Sequence, residues 1–259
     1  MQVHYDIHGA EGGVPVLLVN ALGCDLSIWD AFLNPLTDKG FRVIRHDLRG
    51  HGRSPVPVGP YEMRDFGVDI LALLDQLGVE SAHIVGLSLG AMAALWVACN
   101  HPDRVRGMVM CCTSANPGNA RMWLDRAMQA RTVGMRAIAD ATVARWFTSA
   151  WRAGNPEPAT RMRELIAATA PEGYAASCEA LASFDLSDDL ARVIAPTLVL
   201  SMGWDPAFTP DHAKRIVDGI VDAKSEIIDG FGHLGTLVQP ERFSRAIAAH
   251  LARAAAARD

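Results

Sequence analysis

No part of the chain holds the roughly 18 or more consecutive apolar residues that a membrane-spanning helix needs. The opening segment, MQVHYDIHGAEGG, has no basic stretch followed by an apolar one, so no signal peptide is expected. Long runs of Lys and Arg are missing and the formal charge is -5, which argues against nucleic acid as a partner. Mild net acidity does not exclude a small anionic substrate, because local charge decides there. No CxxC pair occurs among the five cysteines, Cys24, Cys99, Cys111, Cys112 and Cys178. Odd in number and mostly set in apolar surroundings, they read as small core residues in a reducing cytoplasm rather than as metal ligands. There is no internal repeat, and the one biased tract is the Ala/Arg-rich C-terminal tail.

What is present is a chain of 259 residues, half of them hydrophobic and a fifth charged. That suits one large domain, or a core with an insertion. Short apolar runs read as strands at 14–19, 41–47, 82–87, 105–113, 195–202 and 223–229, with His4 and His8 in an earlier first strand. Between them lie amphipathic stretches that read as helices: SIWDAFLNPLTDKG ending at Gly40, 62–78, SLGAMAALWVACNH, 210–220 and a last one near 237–255. Strands alternating with helices predict an α/β fold, a mostly parallel twisted sheet with helices on both faces. Residues 116–187 break the rhythm with helical stretches and no convincing strand. They are expected to form a helical cap over the carboxyl edge of a core made of 1–115 and 188–259, the edge where open α/β sheets bind ligands.

Within HIVGLSLGAMAAL (83–95), Gly86-Leu87-Ser88-Leu89-Gly90 is a G-x-S-x-G motif running from a strand into a helix. That context is the one a strained nucleophile elbow requires, with Gly86, Gly90 and Ala91 letting strand and helix come close. A plainer role for Ser88 is that of a helix N-cap. A serine hydroxyl needs a base. Of nine histidines, His233 lies in the glycine-rich loop DGFGHLG after the last strand, at the same sheet edge as Ser88. The base needs a carboxylate to hold its tautomer. Asp205, just past strand 195–202, is placed for that; the stretch after strand 105–113 has no carboxylate until Asp125, and Asp211 and Asp229 read as a helix-start and a strand-end residue. The backbone N–H groups of Leu22 and Leu89 are candidate donors to a tetrahedral oxyanion. Asn20 reads as a brace for the Leu22 loop. DLRGHGRS (47–54) reads as a tight turn braced by an Asp–Arg pair rather than as a reactive site. No metal or cofactor is expected.

The order Ser88, Asp205, His233 and the strand pattern resemble the α/β-hydrolase superfamily over nearly the whole chain. Five stretches, VNALGCDLSIWD, DLRGHGRS, GLSLGAM, VGMRAIADATVARWFT and WDPAFTP, are similar to 3-oxoadipate enol-lactonases. The resemblance implies hydrolysis of a small carboxylate-bearing enol-lactone or ester through an acyl-enzyme, in the breakdown of aromatic compounds. The loop GFGHLGTLVQPERF departs from the family's SHISNVEQPE-like stretch, and Trp204 and Phe208 make the acid loop bulkier; both changes are expected at the pocket. The same residues also suit a cofactor-free haloperoxidase or perhydrolase, or a carbon–carbon bond hydrolase; a non-reactive receptor on this fold would not need the full set.

Arg121, Arg126, Arg131 and Arg136 recur every five residues, a step of about 140° on a helix, so they spiral and read mostly as solvated. Arg145 beside Trp146 is the better candidate for holding a substrate carboxylate, with the aromatic ring packing on the lactone. The only partner expected is a small, anionic substrate, with no nucleic acid or membrane; a homo-oligomer is left open.

Overall fold

The computed structural model of the protein describes residues 1–256. Seven strands form one sheet: β1 (Tyr5–His8), β2 (Val14–Val19), β3 (Phe41–His46), β4 (Ala82–Leu87), β5 (Val105–Cys111), β6 (Thr197–Trp204) and β7 (Ala223–Phe231). Their spatial order is β1-β3-β2-β4-β5-β6-β7, and β1 alone runs antiparallel, against β3. All six residues of β4 and the last four of β2 are buried. That is what apolar strands covered by helices on both faces should show. All five cysteines are buried and unpaired. No helix among the described residues is long and apolar enough to cross a membrane.

The helices are α1 (Leu33–Thr37), α2 (Met63–Gln76), α3 (Leu89–Asn100), α4 (Ala120–Thr132), α5 (Met135–Trp146), α6 (Ser149–Gly154), α7 (Pro156–Ala168), α8 (Pro171–Ser183), α9 (Pro210–Gly219), α10 (Gly235–Val238) and α11 (Pro240–Ala256). Between β5 and β6 the chain thus passes through five helices. Two expected helices are broken instead. The stretch 27–40 is a 3-10 helix over Leu26–Phe32 followed by the short α1. Pro35 cannot donate to the Ala31 carbonyl and its ring crowds that turn, so a continuous α-helix is lost. Similarly, Pro240 turns Gln239 out of helical geometry and separates α10 from α11.

The DLRGHGRS turn follows β3, and its bracing differs from the expected Asp–Arg pair. Asp47 curls inward and accepts the backbone N–H groups of Leu26 (2.8 Å) and Arg53 (2.9 Å). It also contacts the Nδ1 of His4, one residue before β1. Arg49 points away to α2, pairing with Asp69 at 2.7 Å and Asp65 at 3.2 Å. Gly50, in the left-handed region at φ 74°, lies against Gly173 of α8, and a Cβ on either residue would run into the other's backbone. The inserted helices are therefore seated directly on this turn. Gly173→Val should lower unfolding stability by roughly 1–3 kcal/mol, the usual cost of overpacking, in urea denaturation.

His46 ends β3 fully buried, with neither ring nitrogen bonded to another described residue. Burial holds its pKa down at about 4, against 6.5 for an exposed imidazole. The folded state therefore resists a proton that the unfolded state accepts below pH 6.5, so this contribution is complete above pH 6.5 and declines as pH falls toward 4. Between pH 7.5 and 5 the loss is about 2 kcal/mol. Urea denaturation of His46→Leu should show that much less acid sensitivity than the parent protein.

Candidate active site

Three strand ends deliver three side chains to one point. Ser88 directly follows β4, Asp205 directly follows β6, and His233 lies just beyond β7, all at the carboxyl edge of the sheet. Ser88 Oγ lies 3.0 Å from His233 Nε2, and His233 Nδ1 lies 2.9 Å from Asp205 Oδ2 and 3.1 Å from Oδ1. A carboxylate can only accept, so Nδ1 carries the proton and Nε2 is free to accept the Ser88 hydroxyl proton. All three residues are buried.

Local sequence explains each placement. Ser88 has φ 53° and ψ -115°, a conformation that few L-residues adopt. Its N–H donates to the Cys111 carbonyl at 2.9 Å, and its own carbonyl accepts from Thr113 Oγ1 at 2.9 Å and from Ala91 N–H at 3.0 Å. A Cβ on Gly86 would collide with the Ala91 backbone, and one on Gly90 with the Val19 and Asn20 carbonyls. Ser88 is thus more than an N-cap: its side chain makes no capping bond to α3. Asp205 is held by its own turn, accepting the N–H groups of Ala207 at 2.7 Å and Phe208 at 3.1 Å. The His233 N–H donates to the Trp146 carbonyl at 3.3 Å, and the imidazole is flanked by the rings of Trp146 (5.4 Å) and Phe208 (5.6 Å).

Leu89 is the first residue of α3, where a backbone N–H has no partner within the helix. Leu22 lies in the loop after β2. There Asn20 acts as the expected brace: its Nδ2 donates to the Cys24 carbonyl and its Oδ1 accepts from Leu48 N–H at 3.3 Å. Both loop ends are therefore pinned while Leu22 faces the cavity over Ser88.

That cavity measures about 240 Å³ and is lined by Leu22, Ser88 and His233 together with side chains of the inserted helices. Arg145 and Trp146 both line it. Phe208 does too, whereas Trp204, expected at the pocket, is 76 % exposed and turned outward at the sheet edge beside Phe231. β6 and β7 come out of step just before Trp204, which carries its side chain beyond the loop. One lining residue escaped the sequence reading: Arg126, grouped there with the solvated arginines, is half-buried in the wall, its guanidinium 5.7 Å from the centre of the Trp123 ring. The signal was available, since Trp123 and Arg126 are three apart and share a helix face. Burial pushes the Cys111 and Cys112 thiols well above the ordinary cysteine range, which keeps them in the thiol form. Among the described residues no group of three or more His, Cys, Asp or Glu side chains is arranged to hold a metal ion.

Comparison with known proteins agrees with this architecture. Residues 14–240 match the family model described as alpha/beta hydrolase fold. The 3-oxoadipate enol-lactonase 2 of Acinetobacter baylyi is 34 % identical over 97 % of this chain and 93 % of its own. The crystal structure of the enol-lactonase from Burkholderia xenovorans LB400 superposes with a TM-score of 0.94 at 34 % identity, covering 96 % of each chain. A thermophilic esterase from Thermogutta terrifontis, solved with malate bound, gives 0.91 at 31 % identity, covering 97 % of this chain and 93 % of that one. With the sheet order, the strained serine after β4 and these matches in hand, the chain belongs to the α/β-hydrolase family, with 3-oxoadipate enol-lactonases among its relatives.

Proposed function

We propose that the protein is a serine hydrolase that opens a small, carboxylate-bearing enol-lactone or ester through an acyl-enzyme, with 3-oxoadipate enol-lactone as its substrate in the breakdown of aromatic compounds. The observation that carries this reading is the hydrogen-bonded chain Ser88–His233–Asp205, whose Ser88 and His233 line a cavity shared with the inserted helices. Enol-lactonases 34 % identical to this chain support the substrate.

In this mechanism Ser88 Oγ bonds to the lactone carbonyl carbon as its proton passes to His233 Nε2. The carbonyl oxygen takes the negative charge and accepts from the N–H groups of Leu22 and Leu89. Collapse breaks the ring C–O bond, and the enolate leaves readily because its charge is conjugated; it takes the proton that His233 received from Ser88. Since the ring oxygen belongs to the same molecule, the whole substrate stays on Ser88. Water then attacks the acyl carbon, giving one proton to His233, and Ser88 recovers that proton as the carboxylic acid departs. Asp205 stabilises the transient imidazolium. Arg145, in the cavity wall, contributes positive charge toward the substrate carboxylate, and Trp146 packs on its ring. Residues 116–187 serve as a cap over the site, on a core of 1–115 and 188–259. Five unpaired cysteines suit a reducing cytoplasm.

Ser88→Ala should lower kcat by at least about 10³-fold on 3-oxoadipate enol-lactone and on nitrophenyl esters, with the fold intact by circular dichroism. Full activity in purified Ser88→Ala would refute the assignment. A panel pairing the enol-lactone with simple esters and other lactones ranks the substrates directly.

A further inference from the structure

The structure assigns to Arg126 the primary grip on the substrate's carboxylate, so that this arginine selects anionic acyl substrates over neutral ones. The inference rests on the reading of Ser88 as the nucleophile.

Three arginines of α4 differ in what neutralises them. Arg121 is exposed and pairs with Asp125 at 2.9 Å. Arg131 bridges to Glu172 at 2.9 Å and to Glu179, both on α8. Arg126 has no carboxylate partner among the described residues, although it is the one that lines the cavity holding Ser88 and His233. Its guanidinium is oriented by two neutral groups, the Trp123 ring and the buried Thr142 hydroxyl on α5, 3.4 Å from Nη2. Neither cancels its charge. Arginine stays protonated at any ordinary pH, and a cation drawn partly out of water without a partner is costly.

Arg145 puts a second cation into the same space, and no carboxylate side chain lines that space among the described residues. Two like charges lining one cavity of about 240 Å³ repel, and an anion between them relieves that repulsion. What separates the two arginines is preparation. Among the described residues no hydrogen bond, ion pair or ring contact holds the Arg145 guanidinium, whereas Arg126 is already fixed. A fork held in place loses less freedom on binding, so the larger share of affinity falls to Arg126. The cavity's size admits only a small acyl group, with the carboxylate a few atoms from the ester or lactone carbonyl.

The test compares hydrolysis of mono-4-nitrophenyl glutarate with that of 4-nitrophenyl butyrate. In Arg126→Ala and in Arg126→Met, which keeps an apolar stem against Trp123, the ratio of kcat/KM for the anionic over the neutral ester should fall about 100-fold, mainly through KM. Arg126→Lys should recover part of it, because an ammonium supplies charge without the planar fork. Independently of turnover, calorimetry should show free glutarate binding to Ser88→Ala and no binding to Ser88→Ala/Arg126→Met. A ratio within threefold of the parent in both variants, or glutarate binding unchanged in the double variant, overturns the role of Arg126. Failure of a fluorophosphonate probe to label Ser88 in the parent protein would instead overturn the underlying reading of the nucleophile.

Discussion

The approach of α3 to the sheet at Gly86 and Gly90 is the constraint from which the site follows. With no Cβ at either position, the helix starts against the ends of β2 and β4, and the chain must reverse within Ser88 itself. Its backbone at φ 53° is sparsely populated territory for a non-glycine residue. The strain is held by the Ser88 N–H donating to the Cys111 carbonyl and by the Ser88 carbonyl accepting from Thr113 and Ala91, which ties Ser88 to the end of β5 and to its own helix. The geometry that lifts the hydroxyl clear of the backbone also leaves the first N–H of α3 without a helical partner beside it. Position of the hydroxyl and availability of a donor have one cause.

The imidazole is positioned by a different means. His233 stands on a loop, and loops do not hold a ring by themselves. Here the Asp205 carboxylate grips one nitrogen, while the rings of Trp146 and Phe208 close on the flanks. Trp146 ends α5, and its carbonyl also accepts the His233 N–H. The helices between β5 and β6 therefore bear on His233 as well as on the space above it. Their charges divide along the same line. Arg131 and Arg163 are spent on ion pairs with acidic neighbours, whereas Arg126 and Arg145 face the cavity without one among the described residues. Exposed ion pairs add little stability, so the distribution matters more for what the cavity can bind than for how firmly the helices fold.

Much of this was legible along the chain. Apolar runs covered on both faces, and glycines around Ser88, carry their meaning in a short window, because strand burial and close backbone approach are local demands. Asp205 and His233 could be chosen because each follows a strand of a parallel sheet, and all such strands end at one edge. Proline breaks at Pro35 and Pro240 were also written locally but were overridden in the reading by longer amphipathic patterns. Arg49 and Trp204 were harder: each side chain is aimed by a turn or a bulge, at Gly50 and Gly52 for one and between β6 and β7 for the other.

The alternation of strands and helices, and the choice of Ser88, Asp205 and His233 with Leu22 and Leu89 as candidates, could be read from the sequence alone, since each depends on residue type and on position relative to a strand end; the spatial order of the strands could not. Tertiary structure decided which arginines meet the cavity. Arg121, Arg126 and Arg131 are chemically identical and evenly spaced on one helix, so their spacing does not distinguish them, and Trp123 three residues before Arg126 is the one local cue. Packing of α4 against α8 sets one beside Glu172 and Glu179, leaves one in solvent, and turns Arg126 over Trp123 toward Ser88. The charge of a pocket is a sum over elements that only folding brings together.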